Sequence, residues 1–192
     1  AASDVYKRQG YDEYAGWTQS GKAEKLAAAR VLGYAQSGSE NEDKPYIYLE
    51  SVEDNERWGR YSFLGFEPKF IITCSNGRMR VGDEEFQTYD PDSHIREVLS
   101  RYRSPVIQGM PTFTGGLVGY FSYDYLKYSE PTLRLDAKDT EGFKDVDLML
   151  FDKVIAFDNL KSRIILIANV PTADIETGYV QAVAELERME EL

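Results

Sequence analysis

From residue 46 onward the chain is built mostly of short apolar runs separated by turn residues. YIYLES at 46–51 and GRYSFLGF at 59–66 have the composition of strands, as do KFIITC at 69–74 and RMRVG at 78–82. Ser75-Asn76-Gly77 lies between the last two. An Asn-Gly centre predicts a tight hairpin there, because both residues accept positive φ. VDLMLFDKVIAFD at 146–158 and SRIILIANV at 162–170 predict another hairpin, turning around Asn159. The run FTGGLVGYFSYDY at 113–125 is β-prone but interrupted by Gly115, Gly116 and Gly119, with a turn expected at Tyr123-Asp124.

Three stretches favour helix. Residues 21–37 do so by propensity, with a modest apolar stripe. The second is the clearest: Asp90 can cap it and Pro91 suits its first turn. Ile95, Val98, Leu99 and Tyr102 then recur at i, i+3, i+4 and i+7. The third covers roughly residues 172–191 and carries Tyr179, Val183 and Leu186 on one face. Consecutive strands joined by hairpins, with helices between pairs, imply an α+β fold with a mostly antiparallel sheet and packed helices. No repeat, low-complexity tract or linker divides the chain. Residues 21–192 are therefore taken as one domain, with 1–20 an unassigned extension.

Composition narrows the functional classes. Hydrophobic residues make up 42% and aromatics 13%, too many for a disordered chain. The 33 acidic against 22 basic residues leave a net charge of −11, which disfavours nucleic acid and anionic membrane as partners. No apolar stretch is long enough for a membrane helix. With Cys74 alone no intrachain disulfide can form, in keeping with a reducing, cytoplasmic compartment. His94 is the one histidine, so neither a nucleophilic triad nor a zinc site is a reasonable expectation. The first ten residues, AASDVYKRQG, have no apolar signal core and no leading Met; they read as a trimmed or incomplete start.

Four segments are candidate sites. TGGLVGYF has the wrong glycine spacing for a dinucleotide loop, and β-prone aromatics follow it; glycines that let two backbones approach within a sheet are the better account. Leu49, Glu50 and Ser51 end one strand and Arg60 opens the next. Hairpin-like pairing would gather a carboxylate, a hydroxyl and a guanidinium, a set suited to a zwitterion. The bland alternative is a capped turn with a surface ion pair. Tyr120, Tyr123, Asp124, Tyr125 and Tyr128 are dense enough for an interface, or for ordinary core and rim. Asp145, Asp147 and Asp152 lack the close spacing of a metal loop, and alternating solvent-facing charge is the expectation for them.

Two segments carry a family resemblance. YLESVEDNERWGRYSFLGFEP at 48–68 resembles the "LLES…GRYSF.G..P" signature of anthranilate synthase component I. FTGGLVGYFSYDYLKYSEP at 113–131 resembles that family's "FTGG.VGYF.YD…..E" signature, and order and separation match too. The resemblance runs from about residue 45 to 170. It implies the N-terminal part of a lyase that makes anthranilate from chorismate and ammonia in tryptophan biosynthesis, with a glutamine amidotransferase partner. Chorismate and Mg²⁺ would belong to a C-terminal domain beyond residue 192, leaving this part inactive alone and without a cofactor of its own. It also implies an allosteric L-tryptophan site at Leu49, Glu50, Ser51 and Arg60. Arg60 takes the basic position if a one-residue gap is allowed, and Tyr48 replaces the signature's first Leu. The alternatives are the N-terminal domain of aminodeoxychorismate synthase component I, of the folate pathway, a free-standing amino-acid-binding module, and a purely structural or docking half.

Overall fold

The structure is a computed structural model that describes residues 46–49, 60–130, 132–133 and 142–191. The helix expected at 21–37 lies outside these residues, as do Glu50, Ser51 and residues 52–59. The described chain is α+β, as its periodicities imply, and it divides into two compact units. One contains residues up to Pro68, Ser104–Gly115 and Asp152–Leu192; the other contains Lys69–Arg103 and Gly116–Phe151.

In the first unit, β1 (Tyr46–Leu49), β2 (Tyr61–Phe66), β8 (Lys153–Asp158) and β9 (Arg163–Ala168) form an antiparallel sheet in that order. The β8–β9 hairpin turns around Asn159 as the pattern predicts. Helix α2 (Ile175–Glu190) covers one face of this sheet, capped by Asp174, whose carboxylate accepts the Thr177 N–H at 3.2 Å. Its buried positions Gly178, Ala182, Leu186 and Met189 repeat every three or four residues. Ala182, Leu186 and Met189 pack on Ile155, Ile164, Leu166 and Ala168.

In the second unit the order is β5-β4-β3-β7-β6, again antiparallel. The strands are β3 (Phe70–Ser75), β4 (Arg78–Val81), β5 (Glu84–Gln87), β6 (Gly116–Phe121) and β7 (Val146–Phe151). Asn76 and Gly77 form the β3–β4 turn with φ of 51° and 79°, both in the left-handed region expected of them. Helix α1 (Pro91–Arg101) starts on the Asp90 cap and sends Ile95 and Val98 into a core with Ile72, Cys74, Met79, Val146 and Leu148. Leu99, placed on the same stripe by its spacing, is exposed instead, and Tyr102 sets its ring edge-on to Phe70. A 3₁₀ helix, Tyr123–Tyr128, follows β6 where a simple turn was expected.

The segment 146–158 is corrected: it is two strands in two sheets. β7 and β8 part at Asp152, whose backbone carbonyl is taken by Asn169 through its N–H at 2.7 Å and its Nδ2 at 3.1 Å. Asn169 Nδ2 also donates to the Thr114 carbonyl at 2.6 Å, so one amide organises the break.

Candidate functional site

TGGLVGYF is a strand, not a phosphate loop. β6 pairs with β7 in the register Gly119↔Leu148, and a Cβ at Gly119 would lie 2.0 Å from the Asp147 carbonyl oxygen. The glycine is therefore needed for backbone approach.

Asp145 and Asp147, expected to face solvent, are buried, and that expectation is corrected. Each is matched by a lysine: Lys127 Nζ donates to Asp145 at 2.8 Å, and Lys144 Nζ to Asp147 at 2.8 Å. Burial is tolerated because charge and hydrogen bonds are supplied together. Asp145 also accepts from Tyr128 Oη at 2.7 Å and from the Asn76 N–H at 2.7 Å. Tyr128 Oη in turn accepts the Gly77 N–H at 2.7 Å and meets Cys74 Sγ at 3.4 Å. Burial, followed by its contacts with Cys74 and Asp145, holds the Tyr128 hydroxyl well above the ordinary tyrosine range, and burial likewise raises the Cys74 thiol. The group clamps the β3–β4 turn through hydrogen bonds centred on Asp145 and the Tyr128 hydroxyl. Tyr125 and Tyr128 line the core, whereas Tyr123 is exposed. Among the described residues no cluster of three His, Cys, Asp or Glu side chains is placed to hold a metal. His94 packs against Phe86, with ring centroids 4.7 Å apart.

The remaining candidate sits at one end of the first unit's sheet. β1 pairs with β2 in the register Leu49↔Phe63, so Leu49 and Arg60 lie at the same end of the pair. Leu49 is exposed; Glu50 and Ser51 lie outside the described residues. Arg60 precedes β2, and its carbonyl accepts the Asn159 N–H at 2.8 Å. Its guanidinium lies over the Tyr61 ring, 4.8 Å from the centroid. It grips Asp158 with two bonds, Nε to Oδ1 at 3.0 Å and Nη2 to Oδ2 at 2.8 Å.

Strand order explains this pair. β8 is an inner strand, and its last residue, Asp158, stands opposite Tyr61 of β2 and Arg163 of β9. One carboxylate thus reaches an arginine from each flank. Arg163 Nε and Nη2 both approach Oδ2 at 3.3 Å, and the Lys161 N–H donates to Oδ1 at 3.2 Å. The Asp158 side chain is fully shielded, while that of Arg60 keeps 26% of its surface exposed. Burial alone would raise the Asp158 carboxyl, but the bonds from Arg60 and Lys161 and the charge of both arginines hold it below the usual carboxylate range. Asp158 is the residue that sequence reasoning missed. It is 98 positions from Arg60, and the only local signal is an acid ending an apolar run before the Asn159 turn.

Among the described residues no helix is long and apolar enough to cross a membrane. No protein-family profile matches the chain. Curated relatives do. Anthranilate synthase component 1 of Acinetobacter calcoaceticus is 37% identical over 85% of this chain and 33% of its own length. That of Pseudomonas aeruginosa is 36% identical over 77% of this chain and 31% of its own. That of Saccharomyces cerevisiae is 35% identical over 74% and 27%. The chain thus spans about a third or less of the relatives it matches. The crystal structure of anthranilate synthase component I from Streptococcus pneumoniae shares the fold, with a TM-score of 0.55 and 24% identity over 86% of this chain and 34% of that one. Matched at 35–37% identity over 74–85% of its residues, the chain belongs to the anthranilate synthase component 1 family.

Proposed function

We propose that this chain is the N-terminal regulatory and structural part of a cytoplasmic anthranilate synthase component I, carrying the L-tryptophan feedback site at Leu49, Glu50, Ser51 and Arg60. In this reading the whole protein makes anthranilate from chorismate and from ammonia that a glutamine amidotransferase partner supplies. Chorismate and Mg²⁺ belong to residues beyond this chain. The identity to the curated relatives supports the enzyme class.

One observation carries the regulatory half: Leu49 and Arg60 share one end of the β1–β2 pair. The Arg60 guanidinium suits the carboxylate of an amino acid, and Glu50 supplies a charge for its ammonium. Inhibition then follows from differential binding. Tryptophan favours a conformation in which the chorismate site is closed or misaligned, a coupling of about 1–3 kcal/mol. Linkage makes the effect reciprocal, so chorismate weakens tryptophan binding by the same factor.

Calorimetry of L-tryptophan on the intact protein, with and without chorismate, tests this. We expect binding that chorismate weakens, and loss of both binding and inhibition in Ser51→Arg. An intact Ser51→Arg protein inhibited as well as wild type would remove the site assignment.

A further inference from the structure

We propose that Asp158 is a positioning residue of the amino-acid site, fixing the direction in which Arg60 presents its guanidinium to a ligand carboxylate. The inference rests on the reading of Arg60 as a ligand-binding residue and adds to it a residue from a distant strand.

Arg60 stands just outside the β2 ladder, which begins at Tyr61. An arginine in that position has a long side chain with many rotamers, and ordering it on binding would cost affinity. Asp158 removes that cost in advance. Its two oxygens engage Nε and Nη2 in a fork-to-fork pair at 3.0 and 2.8 Å, which fixes the guanidinium plane as well as its position. The carboxylate is fully shielded from solvent, so water does not compete for its two oxygens. The Tyr61 ring supports the guanidinium, and the bond from the Asn159 N–H to the Arg60 carbonyl fixes the backbone.

The two arginines on Asp158 are not equivalent. Arg60 receives the short, two-oxygen geometry, whereas Arg163 reaches a single oxygen with both contacts at 3.3 Å. A carboxylate serving only to neutralise the strand end has no reason to favour the residue outside the ladder over Arg163, which stands directly opposite it.

The test measures ligand selectivity, because lost stability alone would not change it. Affinities of the intact protein for L-tryptophan and for L-tryptophanamide, which lacks the carboxylate, are compared by calorimetry. In Asp158→Asn, L-tryptophan should bind about tenfold or more weakly, the scale of a charge-assisted hydrogen bond, while the amide changes little. Asp158→Glu, which keeps the charge on a longer arm, should recover part of the preference; it also serves if Asp158→Asn does not fold. Arg163→Gln disturbs the same carboxylate and should leave the preference intact. A wild-type preference in folded Asp158→Asn and Asp158→Glu, or an equal loss in Arg163→Gln, would overturn the positioning role. Unchanged tryptophan binding in Ser51→Arg would instead overturn the site reading, whatever Asp158 does.

Discussion

Each unit buries an aspartate at the end of an inner strand, and the two are satisfied by different kinds of donor. Asp145, at the entrance to β7, is met by a tyrosine hydroxyl, a backbone N–H and one lysine. Asp158, at the exit of β8, is met by two arginines and a backbone N–H. In the first case the turn supplies a backbone N–H, and the 3₁₀ helix supplies a hydroxyl on a rigid ring and a lysine. The carboxylate therefore locks together two stretches of chain: the Asn76-Gly77 turn and the helix that ends at Tyr128. In the second case the principal donors are two guanidinium groups on flexible side chains. There the carboxylate gives direction to groups that would otherwise have many conformations, and one of them stays partly open to solvent. Buried acids at strand ends can thus brace a fold or aim a side chain, and the kind of donor decides which.

The largest expected effect tests whether the second unit is as tightly built as its polar clamp suggests. Gly119→Ala would push a Cβ into the Asp147 carbonyl and within 2.8 Å of the Leu148 Cα, both backbone atoms that cannot rotate away. A loss of about 3 kcal/mol, as expected for severe overpacking, should appear in denaturant unfolding. Hydrogen exchange should place that loss in β6 and β7. A near-neutral Gly119→Ala would mean that the edge strand gives way easily and that the unit is less rigid than its clamp implies.

Next in size is the acid response of the first unit. The Asp158 carboxyl is held below its ordinary value of 3.8, so the unfolded chain takes up this proton at higher pH than the folded one. The stabilisation is complete above about pH 4 and disappears as pH falls through the lower folded value. Glu185 moves the same way, through its hydrogen bond with Arg188, against burial, and with the charge of Lys153. Asp158→Asn should cost about 2 kcal/mol at neutral pH, less than removal of a wholly buried pair because Arg60 reaches water. That deficit should shrink as both proteins are taken to pH 3. A deficit constant from pH 7 to pH 3 would show that the carboxylate charge is not what holds Arg60.

Local features of the fold were legible in the sequence. Asn76-Gly77 encodes its own turn through positive φ, Asp90 and Pro91 encode the start of α1, and the β8–β9 hairpin is visible around Asn159. Features fixed by distant partners were not. Nothing near Asp152 says that Asn169 will take its carbonyl and divide 146–158 between two sheets. β5 carries one large apolar residue, Phe86, too little to mark a strand without β4 beside it. The burial of Asp145 depends on Lys127, Tyr128 and the Asn76 N–H, which its local pattern cannot place. The same limit applies to the candidate site. Its β1–β2 half is contiguous and carries the family signature, but Asp158 joins it only because β8 pairs with β2.

The smallest effect separates the two aspartates by pH. Tyr128→Phe removes the hydroxyl that donates to Asp145 and accepts the Gly77 N–H. Asp145 keeps Lys127 and the Asn76 N–H, so no charge is left unmatched, and the loss should be about 1 kcal/mol, the net worth of an ordinary hydrogen bond. The Tyr128 hydroxyl is raised above its ordinary value of 10.0, chiefly by burial. Its contribution is therefore complete below about pH 10 and is lost only as pH rises through the higher folded value. Unfolding of Tyr128→Phe beside wild type should show the same small gap at pH 6 and pH 9, where the Asp158 contribution is also constant. Below pH 4 the two should part: the gap from Tyr128 persists while that from Asp158 closes. A Tyr128→Phe gap that closed in acid as well would mean that the hydroxyl's bond depends on the Asp145 charge as the arginines' bonds depend on that of Asp158, and that the kind of donor does not distinguish the two ends.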